Sequence, residues 1–138
     1  GRAVGALPIS RDKGDIRALK TAIEAARGGA ALCLFPEGTR SRDGRLQPVK
    51  PGIGFLIDKA AAPVVPVYVS GTFAALPRGR LLPRPARVSV YFGAPLFPSA
   101  FDRFRGYADR YQKIADLVMA NIARLNPAAS QGADSAGA

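Results

Sequence analysis

Glu37, Thr39, Arg40 and Ser41 stand together in the stretch Phe35-Pro36-Glu37-Gly38-Thr39-Arg40-Ser41, directly after the apolar run Ala30-Ala31-Leu32-Cys33-Leu34. These residue types suit the handling of an anion. The planar fork of arginine grips phosphate through two parallel hydrogen bonds. Gly38 lets the backbone approach a ligand closely or take a positive φ. Glu37 can accept from a substrate hydroxyl or orient Arg40 as its ion-pair partner. An apolar strand that ends in such a cluster puts it where open α/β sheets bind ligands. The alternative is a solvated loop held by a structural Glu37–Arg40 pair. The chain contains no histidine, so the side chain that most often serves as a base near neutral pH is absent from it.

A second cluster, Ser10-Arg11-Asp12-Lys13-Gly14, follows the apolar segment 3–9. If strands 3–9 and 30–35 are parallel neighbours joined by a right-handed crossover helix, Arg11 and Arg40 emerge at one sheet edge and form a dianion pocket. Otherwise Arg11 and Lys13 only solvate a strand–helix turn. Cys33, between Leu32 and Leu34 and without any histidine, reads as a core residue rather than a nucleophile. No cofactor is expected. Gly52-x-Gly54 lacks the third small residue of a dinucleotide fingerprint, because Ile57 occupies that place, and no G-x-x-x-x-G-K-[ST] phosphate loop occurs. His/Cys metal sites are excluded, and the carboxylates are too scattered to form one.

The elements that must hold these groups follow from periodicity. Residues 3–9 read as a buried strand. Residues 15–27 read as a helix, with Ile16, Leu19, Ile23 and Ala26 at helical spacing and Gly28-Gly29 as its stop. Residues 30–35 read as a strand buried on both faces, and a polar loop runs from Pro36 to Lys50. Pro51 opens a helix over 52–62. Residues 64–69 read as a further buried strand, 73–86 as a loop, and 87–92 as a half-exposed strand with Val88, Val90 and Phe92 on one face. A helix over 103–125 carries Tyr111, Ile114, Val118, Ile122 and Leu125 on one stripe. The order predicts an α/β domain, a mostly parallel sheet with flanking helices over residues 1–126, and a disordered tail over 127–138.

With 138 residues, 48% of them hydrophobic, the chain supports one core. Twenty Lys+Arg against ten Asp+Glu leave a net charge of +10, and no acid occurs between Asp58 and Asp102. Such an excess points to an anionic partner: nucleic acid, a phosphorylated small molecule or an anionic membrane surface. Arg78, Arg80, Arg84 and Arg87 are interleaved with Leu and Pro rather than with an aromatic ladder, which fits a membrane face better than single-stranded nucleic acid. A solvated loop is the alternative. One cysteine forms no internal disulfide. No run approaches the ~18 apolar residues of a membrane-spanning helix. The start at Gly1, without Met and close to an apolar segment, reads as a truncated N-terminus.

At these residues the chain resembles the lysophosphatidate (1-acylglycerol-3-phosphate) acyltransferases and their glycerolipid acyltransferase relatives. Phe35 to Ser41 matches the family's F-P-E-G-T-R-S block residue for residue. Gly5 to Arg11 is similar to the block that ends in an Asp-Arg pair, with Ser10 in place of the Asp. Lys50-Pro51-Gly52 resembles the family's Lys-x-Gly, and Val64-Val65-Pro66-Val67 its late V-P-V block, followed by Ser70-Gly71-Thr72. The resemblance implies the C-terminal part of an acyltransferase-like domain. It implies acyl transfer from acyl-CoA or acyl carrier protein to the free hydroxyl of a lysophospholipid acceptor, 1-acyl-glycerol-3-phosphate, at the cytoplasmic face of a membrane such as the bacterial inner membrane. It also implies that Arg11, Glu37, Gly38, Thr39, Arg40, Ser41 and Lys50 contact the acceptor. In the family, an N-H-x-x-x-x-D block carries the base and its orienting Asp. With no histidine here, that pair is expected upstream of Gly1, and the chain alone is expected to be inactive. A non-catalytic module binding anionic lipid or phosphate is the alternative.

Overall fold

The computed structural model describes residues 16–39, 41, 43–77, 79 and 81–128. Helix α1 (Ile16–Arg27) ends where glycine was expected to end it. Gly28 N–H donates to Glu24 O, Ala30 N–H donates to Ala25 O, and Gly29 is left-handed at φ 88. Helix α2 (Pro51–Ala60) starts on Pro51, whose missing N–H costs nothing in the first turn. The chain then forms strand β1 (Val67–Ser70), the short helix α3 (Thr72–Ala75), strand β2 (Ser89–Phe92), a 3-10 helix over Pro98–Phe104, and helix α4 (Arg110–Arg124).

Helix α2 is the centre of the packing. One of its faces, through Ile57, meets Ile114, Val118 and Ile122 of α4 together with Phe101. The other, through Leu56 and Ala60, meets Ala22 and Ile23 of α1. Ile23 of the predicted α1 stripe and Ile114, Val118 and Ile122 of the predicted α4 stripe are therefore core. At the α2–α4 crossing, Gly54 lies so close to the backbone of Tyr111 that a β-carbon there would overlap the Tyr111 carbonyl. Phe55 and Tyr111 meet edge to face beside it, 5.2 Å between centroids. Asp58 of α2 pairs with Arg110 of α4, and Arg27 Nε donates to Lys59 O at 2.8 Å, closing α1 on α2.

The sheet among the described residues has two strands, paired antiparallel with Val67 opposite Phe92 and Ser70 opposite Ser89. An isolated bridge, Val64 with Leu96, extends the pair. Tyr68 and Tyr91 share the inner face, and Tyr68 packs on the α4 core. Val69, Val90 and Phe92 are exposed, so the alternation expected for 87–92 holds and its apolar face is the uncovered one.

Several expectations change. Residues 30–35 form no ladder among the described residues, and Cys33, Leu34 and Phe35 are exposed rather than buried on both faces. A strand is buried only by neighbours, and its expected partner, 3–9, lies outside the described residues. Cys33 is accordingly not a core residue. The strand expected over 64–69 pairs continuously only from Val67, with Val65 and Val69 exposed. The loop over 73–86 begins inside α3. The single helix expected over 103–125 is two elements, broken at Gly106 with φ 87. The tail expected from Pro127 lies outside the described residues beyond Ala128.

Candidate functional site

The loop from Pro36 to Val49 leaves the extended run 30–35 and delivers the chain to the first turn of α2. A tight turn opens it: Gly38 N–H donates to Phe35 O at 3.0 Å, with Gly38 at φ 65, a conformation that a β-carbon would strain. At the far end Leu46 packs on the α2–α4 core and Val49 is buried. Both legs of the loop are thus tied to the fold.

Two carboxylates organise its interior. Glu37 Oε2 accepts the backbone N–H of Gln47 at 2.7 Å, a charge-assisted bond across the two legs. Asp43 Oδ1 accepts from Arg45 N–H at 3.0 Å and from the Ser41 hydroxyl at 3.1 Å. Asp43 N–H donates back to Ser41 Oγ at 3.3 Å. The Arg45 N–H, with the Ser41 hydroxyl adding to it, holds the Asp43 carboxyl below the ordinary aspartate range, outweighing an opposing desolvation. Asp43 thus ties Ser41 to Arg45. Gly44 rests on α3, where a β-carbon would stand 3.4 Å from the Phe73 ring.

Of the expected site residues, Glu37 is half-buried and serves as the brace. Gly38 and Thr39 are exposed at the turn. Ser41 is half-buried with its hydroxyl on Asp43, and Lys50 is exposed immediately before α2. Arg11 and Arg40 lie outside the described residues. Gln47 and Asp43 were not anticipated as parts of this framework. Gln47 acts through its main chain, which no residue type announces, whereas the Ser-x-Asp spacing is a legible turn signal. Among the described residues no cluster of His, Cys, Asp or Glu could hold a metal, and no helix is long and apolar enough to cross a membrane.

The family profile described as Acyltransferase matches residues 1–70, up to the end of β1. The "1-acyl-sn-glycerol-3-phosphate acyltransferase BAT2, chloroplastic" of Brassica napus is 40% identical over 78 residues, 55% of this chain and 23% of that one. The 1-acyl-sn-glycerol-3-phosphate acyltransferase of Limnanthes douglasii is 38% identical over 82 residues, 59% of this chain and 29% of that one. The crystal structure of the 1-acyl-sn-glycerophosphate (LPA) acyltransferase PlsC from Thermotoga maritima superposes with a TM-score of 0.65 at 31% identity, over 80% of this chain and 45% of that one. The chain thus spans less than a third of either plant relative. The matched region holds α1, the braced loop, α2 and β1, and on that match the chain belongs to the Acyltransferase family.

Proposed function

We propose that this chain is the acceptor-binding part of an acyltransferase that acylates 1-acyl-glycerol-3-phosphate in phospholipid synthesis. The acceptor's free hydroxyl attacks the thioester carbonyl of acyl-CoA or acyl carrier protein. The C–S bond breaks, an ester forms, and the hydroxyl proton passes through a base to the departing thiol. That base is not among these 138 residues, which hold no histidine.

The observation that carries the reading is the brace between Glu37 and Gln47 N–H, which closes the stretch of sequence that includes Thr39 and Arg40. In this reading Arg40 and Arg11 grip the acceptor phosphate, Lys50 adds charge, and Gly38, Thr39 and Ser41 line the approach. Glu37 holds the loop in shape, and the sheet of the complete domain is mostly parallel. The enzyme works at the cytoplasmic face of a membrane, on lipid acceptors held in that surface.

A charge-assisted hydrogen bond contributes about 1.5–3 kcal/mol. Arg40→Ala in the complete enzyme therefore raises the acceptor KM by roughly tenfold or more, and an unchanged KM removes the phosphate role. The absence of histidine also suits a second reading, a module that binds anionic lipid without turnover. Coding sequence for an N-H-x-x-x-x-D block ahead of Gly1 decides for the enzyme, and a start codon at that point decides for the module.

A further inference from the structure

The connection between β1 and β2 leaves the sheet at Gly71 and returns at Ser89. Its base is closed twice. Arg84 N–H donates to Ala75 O at 2.7 Å, and Gly71 lies so close to the Arg87 carbonyl that a β-carbon would overlap it. Between these ties in sequence lie Leu81 and Leu82, which are 96% and 80% exposed. Single exposed apolar residues are ordinary on a protein surface. Two adjacent, almost fully exposed leucines in a connection closed at its base are a different case, because their joint apolar surface is left in water.

Their surroundings indicate the occupant. Arg84 and Arg87, both exposed, follow the leucines in sequence, Arg78 and Arg80 precede them, and no Asp or Glu occurs between Asp58 and Asp102. At the start of the connection, Phe73 of α3 lies against Gly44 of the Pro36–Val49 loop, so the two loops meet there. A connection with exposed leucines between arginines matches the interface of an anionic bilayer, where acyl chains receive the leucines and headgroups face the arginines.

We propose that Leu81 and Leu82, with Arg84 and Arg87 behind them, form a docking element that inserts into the interfacial layer of an anionic membrane beside the acceptor-binding loop. The proposal rests on the acyltransferase reading for its purpose, which is to bring that loop to lipid acceptors in the bilayer. It rests on the exposed leucines and the charge for its physics.

The chain has no tryptophan, so Leu81→Trp places one reporter at that position, and circular dichroism verifies the fold. With vesicles of phosphatidylglycerol and phosphatidylcholine, the emission of this single indole shifts to the blue and is quenched by lipids brominated along their acyl chains. Vesicles of phosphatidylcholine alone give little of either effect. In the parent chain, Leu81→Ser with Leu82→Ser lowers sedimentation with anionic vesicles at least about tenfold. Each of Arg84→Gln and Arg87→Gln lowers it about fivefold. The proposal is overturned if the protein fails to sediment with anionic vesicles, or sediments while the indole stays in water. It is equally overturned if the indole is already shielded in buffer, or responds only to duplex DNA. Vesicle binding is read without turnover, so an unchanged acceptor KM in Arg40→Ala would remove the phosphate role while leaving this result standing.

Discussion

Glu37 and Gln47, ten residues apart, are joined by a 2.7 Å bond from the Gln47 backbone N–H to Glu37 Oε2. The bond draws the two legs of the Pro36–Val49 loop together. Glu37→Ala leaves the half-buried Gln47 amide without that acceptor. Local opening then becomes easier by about 1–2 kcal/mol, and hydrogen exchange at the Gln47 amide accelerates roughly tenfold with global stability little changed. Glu37→Gln keeps an oxygen to accept the bond and recovers part of the protection. Equal exchange rates in all three proteins would mean that the brace does not hold the loop.

Asp43 makes the same loop sensitive to acid. The Arg45 N–H and the Ser41 hydroxyl favour the ionised carboxylate, so its pKa in the folded chain lies below that in the unfolded chain. Its contribution to loop order is therefore complete above the unfolded-state pKa and is lost as pH falls through the lowered folded value. A carboxyl-carbon NMR titration finds the Asp43 midpoint below that of the denatured chain, and Ser41→Ala moves it part of the way back. A midpoint at or above the denatured value contradicts the assignment.

Gly54 and Gly52 sit in one helix and have opposite surroundings. A β-carbon at Gly54 would overlap the Tyr111 carbonyl, whereas nothing lies within 4 Å of one at Gly52. Gly54→Ala gains helix propensity of about 1 kcal/mol but must push α4 away. Overpacking of this kind costs about 1–3 kcal/mol or more, and here the obstacle is backbone that no rotamer change can relieve. Urea denaturation should show Gly54→Ala destabilised and Gly52→Ala stabilised by about 0.5–1 kcal/mol. A stable Gly54→Ala would mean that the α2–α4 contact is looser than described.

Arg110 is the first residue of α4, where the helix dipole disfavours a positive charge. Asp58 compensates it, and both side chains are largely buried, 15% and 19% exposed for Asp58 and Arg110. Arg110 Nη1 is buried without a hydrogen-bond partner among the described residues. Asp58→Ala therefore destabilises the chain by about 1–3 kcal/mol, less than for a fully buried pair because some solvent reaches it. Replacing both partners, Asp58→Leu with Arg110→Met, recovers most of the loss. A double variant as unstable as the single one would show that the charges are not the cause.

The helices were legible in the sequence because their signals are local. Ile23 on the predicted α1 stripe, and Ile114, Val118 and Ile122 on the predicted α4 stripe, prove buried. Gly28-Gly29 and Pro51 mark boundaries by what their own backbones permit. The F-P-E-G-T-R-S block stands out by residue type, and its Glu37 and Gly38 shape the loop that follows.

What the sequence determined by itself was thus the buried stripes of the helices and their stops. Tertiary structure decided the rest, because it depends on pairings between distant residues. The apolar run through Cys33 and Leu34 reads as a buried strand, yet burial comes from neighbours and not from composition, and among the described residues none covers it. Gly106 divides the expected last helix, where a continuous hydrophobic stripe had hidden the break. The main-chain N–H of Gln47 that reaches Glu37 was hidden in the same way. Every residue except proline carries such an N–H, so side-chain identity could not reveal which one would arrive there.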